Sequence, residues 1–257
     1  MNRIDNLFKN KSSEVLTIYF TAGYPDLNDT ENIILDLDKA GVDLIEIGMP
    51  YSDPLADGPV IQASSSTALK NGMNLDLLFE QLKDVRSKTQ VPLVLMGYYN
   101  QVIQYGLEPF CKKASQVGVD GLILPDLPLD EFKKLCAPVF KQYGLTCTFL
   151  VTPSSTDERI REIDAASSGF LYAVSSHSIT GGDSANNLSE YGNRLAALKL
   201  KNPIQVGFGI HDAKSFQEAT AIANGGIIGS AFIKAISKER ELVENISSFI
   251  QSIRSKD

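Results

Sequence analysis

A closed barrel of eight parallel strands, each followed by a helix, is the fold this 257-residue sequence predicts. The expected form is a (β/α)₈ TIM barrel: one domain over residues 1–257, with extra helices at the N- and C-terminus. Three observations predict it. Short apolar runs rich in β-branched residues recur eight times, amphipathic stretches alternate strictly with them, and the length suits eight such units. An open doubly wound sheet also alternates in this way. It fits less well, because no GxGxxG follows the first strand and no break in composition separates two halves.

The strands are expected at residues 15–21, 43–48, 91–97, 121–124, 146–151, 170–174, 204–207 and 226–229. Helical periodicity is read over 29–40, 75–88, 107–117, 130–143, 156–166, 188–200 and 212–223, then from near Ala231, with a tail helix over 240–253. At 155–158, Ser-Thr-Asp-Glu puts a capping hydroxyl and acids at the positive end of a helix. Strict alternation makes the strands parallel, since each crossover helix returns the chain to the same edge. Two connectors, 50–72 and 175–187, exceed the usual 2–6 residues and read as functional loops at the carboxyl ends of strands two and six.

The balance of 24 basic against 31 acidic residues gives a net charge of −7, which argues against nucleic acid or an anionic membrane as a partner. No apolar run approaches the length needed to cross a bilayer, and the charged first residues lack the apolar core of a signal peptide. A cytoplasmic protein is expected. Cys111, Cys136 and Cys147 form no CxxC pair, and His177 and His211 are too scattered for a zinc site, so buried reduced thiols and no metal are expected.

The chemistry is expected at the second strand. Alternation sets Leu44, Glu46 and Gly48 on one face and Ile45 and Ile47 on the other, so Glu46 points into the barrel. Burying a carboxylate costs several kcal/mol unless it is paired or protonated, which raises its pKa toward a value useful for proton transfer. A structural Glu bonded to neighbouring strands is the alternative. The proline-rich loop that follows carries Asp53 and Asp57. Asp57, before Gly58-Pro59, is either a turn cap or a second carboxylate with a role distinct from that of Glu46. The clusters Gly207-Phe-Gly-Ile210 and Gly225-Gly-Ile-Ile-Gly-Ser-Ala231 read as an anion site after strands seven and eight, with Ser230 at a helix start. Thr180-Gly181-Gly182 lies in the long sixth loop, a possible lid. Tyr19, Tyr98, Tyr99, Tyr172 and Phe208 gather at strand ends and favour a ligand with a flat apolar part.

Read in order, Tyr19-Phe-Thr-Ala-Gly-Tyr-Pro25, Glu46-Ile-Gly-Met-Pro-Tyr-Ser-Asp-Pro-Leu-Ala-Asp-Gly-Pro59, Pro125-Asp-Leu-Pro128, Ser178-Ile-Thr-Gly181, Gly207-Phe-Gly-Ile210 and Gly229-Ser-Ala231 resemble the tryptophan synthase alpha chain family. The resemblance runs along essentially the whole chain. It implies cleavage of indole-3-glycerol phosphate to indole and glyceraldehyde 3-phosphate, with Glu46 as general acid–base and Asp57 as the second catalytic carboxylate. It further implies phosphate binding at Gly181, Gly209, Gly229 and Ser230, and an indole pocket from Tyr19, Tyr98, Tyr172 and Phe208. Asp53 and Thr180 would link the two loops on closure. The implied partner is a beta chain carrying pyridoxal phosphate, in an alpha2beta2 heterotetramer, with no cofactor on this chain. Three positions depart from the family pattern: Tyr19 stands where Phe is frequent, Ser178 where Gly is frequent, and Gln101 where Pro is usual. The residues by themselves leave open a sugar-phosphate isomerase, a non-catalytic regulatory subunit, and a lyase that works alone.

Overall fold

The computed structural model describes residues 2–174, 184–207, 209–237 and 241–255. Its strands are β1 (Val15–Thr21), β2 (Leu44–Gly48), β3 (Leu93–Met96), β4 (Gly121–Ile123), β5 (Thr146–Thr148), β6 (Leu150–Val151), β7 (Leu171–Val174), β8 (Ile204–Gly207) and β9 (Gly225–Ile228). All pairings are parallel, in the order β5-β4-β3-β2-β1-β9-β8-β7-β6. The two ends of that order are successive pieces of one segment, the expected fifth strand, interrupted at Phe149. The ring therefore closes through 146–151. Across the interruption, the Tyr172 N–H donates to the Phe149 carbonyl at 3.0 Å.

The inward face of the ring is mixed: Thr17, level with Leu44 and Ile227, donates to the buried Gln205 Oε1 at 2.6 Å. Leu44, Val94, Ile123, Phe170, Tyr172 and Ile227 form an inner cluster, while Ile45 and Ile47 pack outward against the helices. Helix Arg3–Asn10 stoppers the amino end of this interior: Ile4 is fully buried in the cluster, and Phe8 lies 6.1 Å from Phe170 between ring centroids. Asn2 caps that helix and also ties it to the barrel, donating to the carbonyls of Asp120 at 2.8 Å and Gly144 at 3.1 Å. At the other terminus, helix Leu242–Arg254 buries Ile246, Ile250 and Ile253, and Arg254 reaches Asp43 at 2.7 Å.

Several connectors differ from expectation. Most of 50–72 is not loop, because Pro59–Lys70 is a helix with Pro59 at its first turn. Its run Ala-Ser-Ser-Ser-Thr-Ala carries no apolar stripe, so periodicity could not reveal it. Likewise 184–187 belongs to helix Ser184–Ala197, and the rest of the expected sixth loop, 175–183, lies outside the described residues. A further helix, Tyr99–Tyr105, follows β3. The helix expected over 130–143 is broken into Leu129–Glu131, a wider π turn at Phe132–Cys136, and Ala137–Gln142. Pro138 lacks the N–H that would have bonded to the Lys134 carbonyl, and a π turn absorbs that loss. The three cysteines are free and buried, as expected.

One buried charge organises the amino end of the strands. Asp120, 3% exposed, accepts from Arg3 at 3.0 Å, from Arg86 at 2.8 Å and from the Leu93 N–H at 2.9 Å. Asp120→Ala leaves the half-buried Arg86 guanidinium without its counter-charge, and unfolding in urea should show a loss of about 3–5 kcal/mol. Asp120→Asn, which keeps acceptors, should lose less.

Candidate active site

β1 and β2 pair so that Tyr19 lies opposite Glu46, and both side chains project into the ring. Glu46 is fully buried, and neither of its carboxyl oxygens has a hydrogen-bond partner among the described residues. Without a counter-charge or donor, burial pushes its pKa from 4.5 up to about 8. The structural alternative, a Glu satisfied by neighbouring strands, is not what the geometry gives. Burial also raises the Tyr19 phenol, with Asp57 and Glu46 adding to the effect. The Tyr19 hydroxyl finds its room over Gly48, where any Cβ would overlap it. The same relation recurs across the barrel, where Gly207 clears the Tyr172 hydroxyl.

Glu46 opens on a cavity of about 560 Å³, and Asp57 lines the same cavity. The loop that brings Asp57 back over the barrel is a chain of tight turns, with the Asp57 N–H donating to the Pro54 carbonyl at 3.1 Å. Gly58 then caps helix Pro59–Lys70 through its backbone alone. The Asp57 carboxylate is therefore no turn cap. It accepts from the Tyr98 hydroxyl at 3.1 Å, and that hydroxyl accepts from the Ala56 N–H at 2.9 Å. Burial raises the Asp57 pKa and the Tyr98 bond pulls it back, while burial pushes Tyr98 up to about 12. Asp53 is exposed and accepts from Ser52 at 2.6 Å; Thr180, its expected partner on closure, lies outside the described residues.

Gly209, Gly229 and Ser230 line the same cavity as the two carboxyl groups, with Tyr172 between. Gly209 has a φ of +83°, a left-handed backbone that favours glycine. At Gly229 a Cβ would meet only ordinary contacts with the Tyr19 ring, so the protein's own packing does not require glycine there. Gly207, Gly225 and Gly226 are different. Added carbons there would collide with Tyr172, with the Val15 carbonyl, and with Ile210 and Phe216, so strand packing by itself accounts for glycine at these positions. Gly181, Phe208 and Ser178 lie outside the described residues. Tyr98 stands beside Asp57 in a narrow annex shared with Tyr19. Tyr99 does not join the site: it is buried, and its hydroxyl accepts from the Cys136 thiol at 3.4 Å.

His211 and Lys234 also line the cavity, although neither was expected to bind the ligand. Lys234 lies one turn beyond Ser230 on helix Ser230–Ile236, and His211 two residues beyond Gly209, where its Nδ1 is 2.7 Å from the Gly209 carbonyl. Both spacings were readable. The cavity wall thus combines the Glu46 carboxyl and the Asp57 carboxylate with Gly209, Gly229, the Ser230 hydroxyl, Lys234 and His211. It suits a ligand with an anionic tail and a reacting centre held against Glu46. No group of three or more His, Cys, Asp or Glu able to hold a metal occurs among the described residues.

The model of the tryptophan synthase alpha chain family matches residues 6–255. The tryptophan synthase alpha chain of Christiangramia forsetii is 53% identical over 256 residues, covering 99% of each chain. The solved tryptophan synthase alpha subunit of Legionella pneumophila superposes with a TM-score of 0.90 at 32% identity, covering 99% of this chain and 97% of that one. A chain of the tryptophan synthase of Mycobacterium tuberculosis, solved in an aminoacrylate-bound form, gives 0.85 at 30% identity over 98% of each. Together with the cavity at the carboxyl ends of a parallel ring, these matches show that the chain belongs to the tryptophan synthase alpha chain family.

Proposed function

We propose that Glu46 and Asp57 are the two groups with which this chain performs its family's reaction. The reaction is the cleavage of indole-3-glycerol phosphate to indole and glyceraldehyde 3-phosphate, a step of tryptophan biosynthesis in which a beta chain takes the indole. The observation that carries the assignment is a buried, unpartnered Glu46 with a pKa near 8, opening on the cavity that Asp57 also lines. At neutral pH Glu46 holds its proton. It gives that proton to indole C3, and the ring becomes a cation that can leave. The resulting carboxylate takes the proton of the hydroxyl on the adjoining glycerol carbon. The C=O bond of the aldehyde forms as the carbon–carbon bond breaks, its electron pair returns to the ring, and Glu46 ends protonated. Asp57 accepts the indole N–H and stabilises the positive charge of the intermediate, a role that needs the anion that Tyr98 supports.

Gly209, Gly229 and Ser230 are assigned to the phosphate, together with Gly181, and Tyr19, Tyr98, Tyr172 and Phe208 to the indole. Asp53 and Thr180 are assigned to loop closure. Pyridoxal phosphate belongs to the beta chain; proton transfer and charge stabilisation by Glu46 and Asp57 call for no cofactor here. The working assembly is an alpha2beta2 heterotetramer in the cytoplasm; among the described residues no helix is long and apolar enough to cross a membrane.

The direct assay is indole release from indole-3-glycerol phosphate, with and without a beta chain. Glu46→Gln should lower kcat by roughly 10²–10⁴-fold with KM little changed, and a near-normal kcat would refute the assignment. Asp57→Asn should cost roughly 10²-fold or more in kcat. Gly229→Val should raise KM roughly tenfold or more, the scale of one lost charge-assisted hydrogen bond; an unchanged KM would remove Gly229 from the phosphate site. A stability measurement adds an independent check on Glu46. Its folded pKa lies above the ordinary 4.5, so the stability linked to this proton is complete below about pH 4.5 and is lost as pH rises through about 8. Melting curves of the native protein and Glu46→Gln should therefore agree at pH 4 and separate at pH 9, with the variant the more stable.

A further inference from the structure

The Asp57 carboxylate accepts from the hydroxyl of Tyr98, and Tyr98 is the last residue before helix Tyr99–Tyr105. One side-chain amide anchors the backbone at that point. Gln101 Oε1 accepts from the Tyr98 N–H at 3.0 Å, and Gln101 Nε2 donates to the Pro50 carbonyl at 2.9 Å. Pro50 is the root of the loop that ends in Asp57. A planar amide has no freedom to make these two bonds independently, so it sets the separation of the two loop roots. Gly97 lets the backbone come in close: a Cβ there would press on Gln101 Oε1 at 2.7 Å. Neighbouring contacts run across the same seam. The rings of Tyr51 and Tyr98 stack with centroids 5.0 Å apart, and Asn100 Nδ2 donates to the Tyr51 hydroxyl at 2.9 Å.

We propose that Gln101 is a positioning residue for the reaction, its amide clamping the loop after β2 to the helix after β3 in the register at which the Tyr98 hydroxyl reaches Asp57. The inference rests on the catalytic reading of Asp57 given above. Gln101 also caps its helix, and a cap alone would support stability without touching the chemistry. The clamp makes a different demand. Without it the hydroxyl drifts from the carboxylate, Asp57 loses the donor that favours its anion, and its ionisation moves to higher pH. The other ionisable groups around Asp57 are Tyr19 from β1, Glu46 from β2 and Tyr172 from β7, with His211 and Lys234 lining the same cavity, and none of them is altered by changing Gln101.

The test uses the full chain with its beta chain and measures kcat, KM and the pH dependence of kcat for Gln101→Met, Tyr98→Phe and the double variant. The expected result is a roughly tenfold fall in kcat for Gln101→Met with KM within about twofold. The acid limb of the profile should move to higher pH, and little further loss should follow when Gln101→Met is added to Tyr98→Phe. Additive losses with an unmoved acid limb would mean a helix cap and overturn the proposal, as would an unchanged kcat. Should Gln101→Met not fold, Gln101→Glu keeps the acceptor for the Tyr98 N–H but cannot donate to Pro50; a normal kcat in that variant would overturn the clamp equally. Asp57→Asn separates the two levels. Normal turnover there would sink the functional reading, whereas a dead Asp57→Asn beside an unaffected Gln101→Met sinks this inference alone.

Discussion

Glu46 stands inside a ring of strands with apolar side chains beneath it, and nothing among the described residues shares its proton or its charge. Burial without compensation is tolerable only while the group is neutral, and a neutral carboxyl at physiological pH is an acid held ready. The rest of the site accommodates that condition. Tyr19 lies opposite it across the strand pair, on space left by Gly48, and Tyr172 occupies the matching space left by Gly207. Asp57 approaches on a separate loop, half-buried and bonded to Tyr98, so the two carboxyl groups occupy different environments and can hold different protonation states.

The charges of the cavity wall add a second layer of order. The chain as a whole is acidic, yet His211 and Lys234 face the cavity beside Gly209, Gly229 and Ser230. Lys234, on the helix that Ser230 begins, attracts an anionic ligand group to that part of the wall. Orientation of the ligand matters most where the reacting carbon must meet a single proton donor.

How much of this was legible in sequence depended on the range of the interaction. Glu46 was readable because alternation along five residues of one strand decides its face, and the ring was readable because the strand–helix rhythm repeats. The Asp57–Tyr98 bond joins residues 41 apart through two irregular loops, and no local pattern encodes it. The glycines carry two kinds of demand that sequence does not separate. Gly207, Gly225 and Gly226 look in sequence like Gly209 and Gly229, and only their neighbours in space tell packing from ligand approach. Helix Pro59–Lys70 escaped notice because its serines erase the apolar stripe, and the interruption at Phe149 because a break in hydrogen bonding leaves no trace in hydrophobicity.

The plug made by helix Arg3–Asn10 has a consequence for traffic. With Ile4 and Phe8 filling the floor, the barrel is a vessel with its opening at the other rim. Incoming substrate and both outgoing fragments must therefore use the carboxyl side, where they get in each other's way. A receiver for one fragment, seated on that rim, would relieve the congestion as well as capture the molecule. An N-terminal helix remote from the chemistry thus decides by which rim the ligands pass.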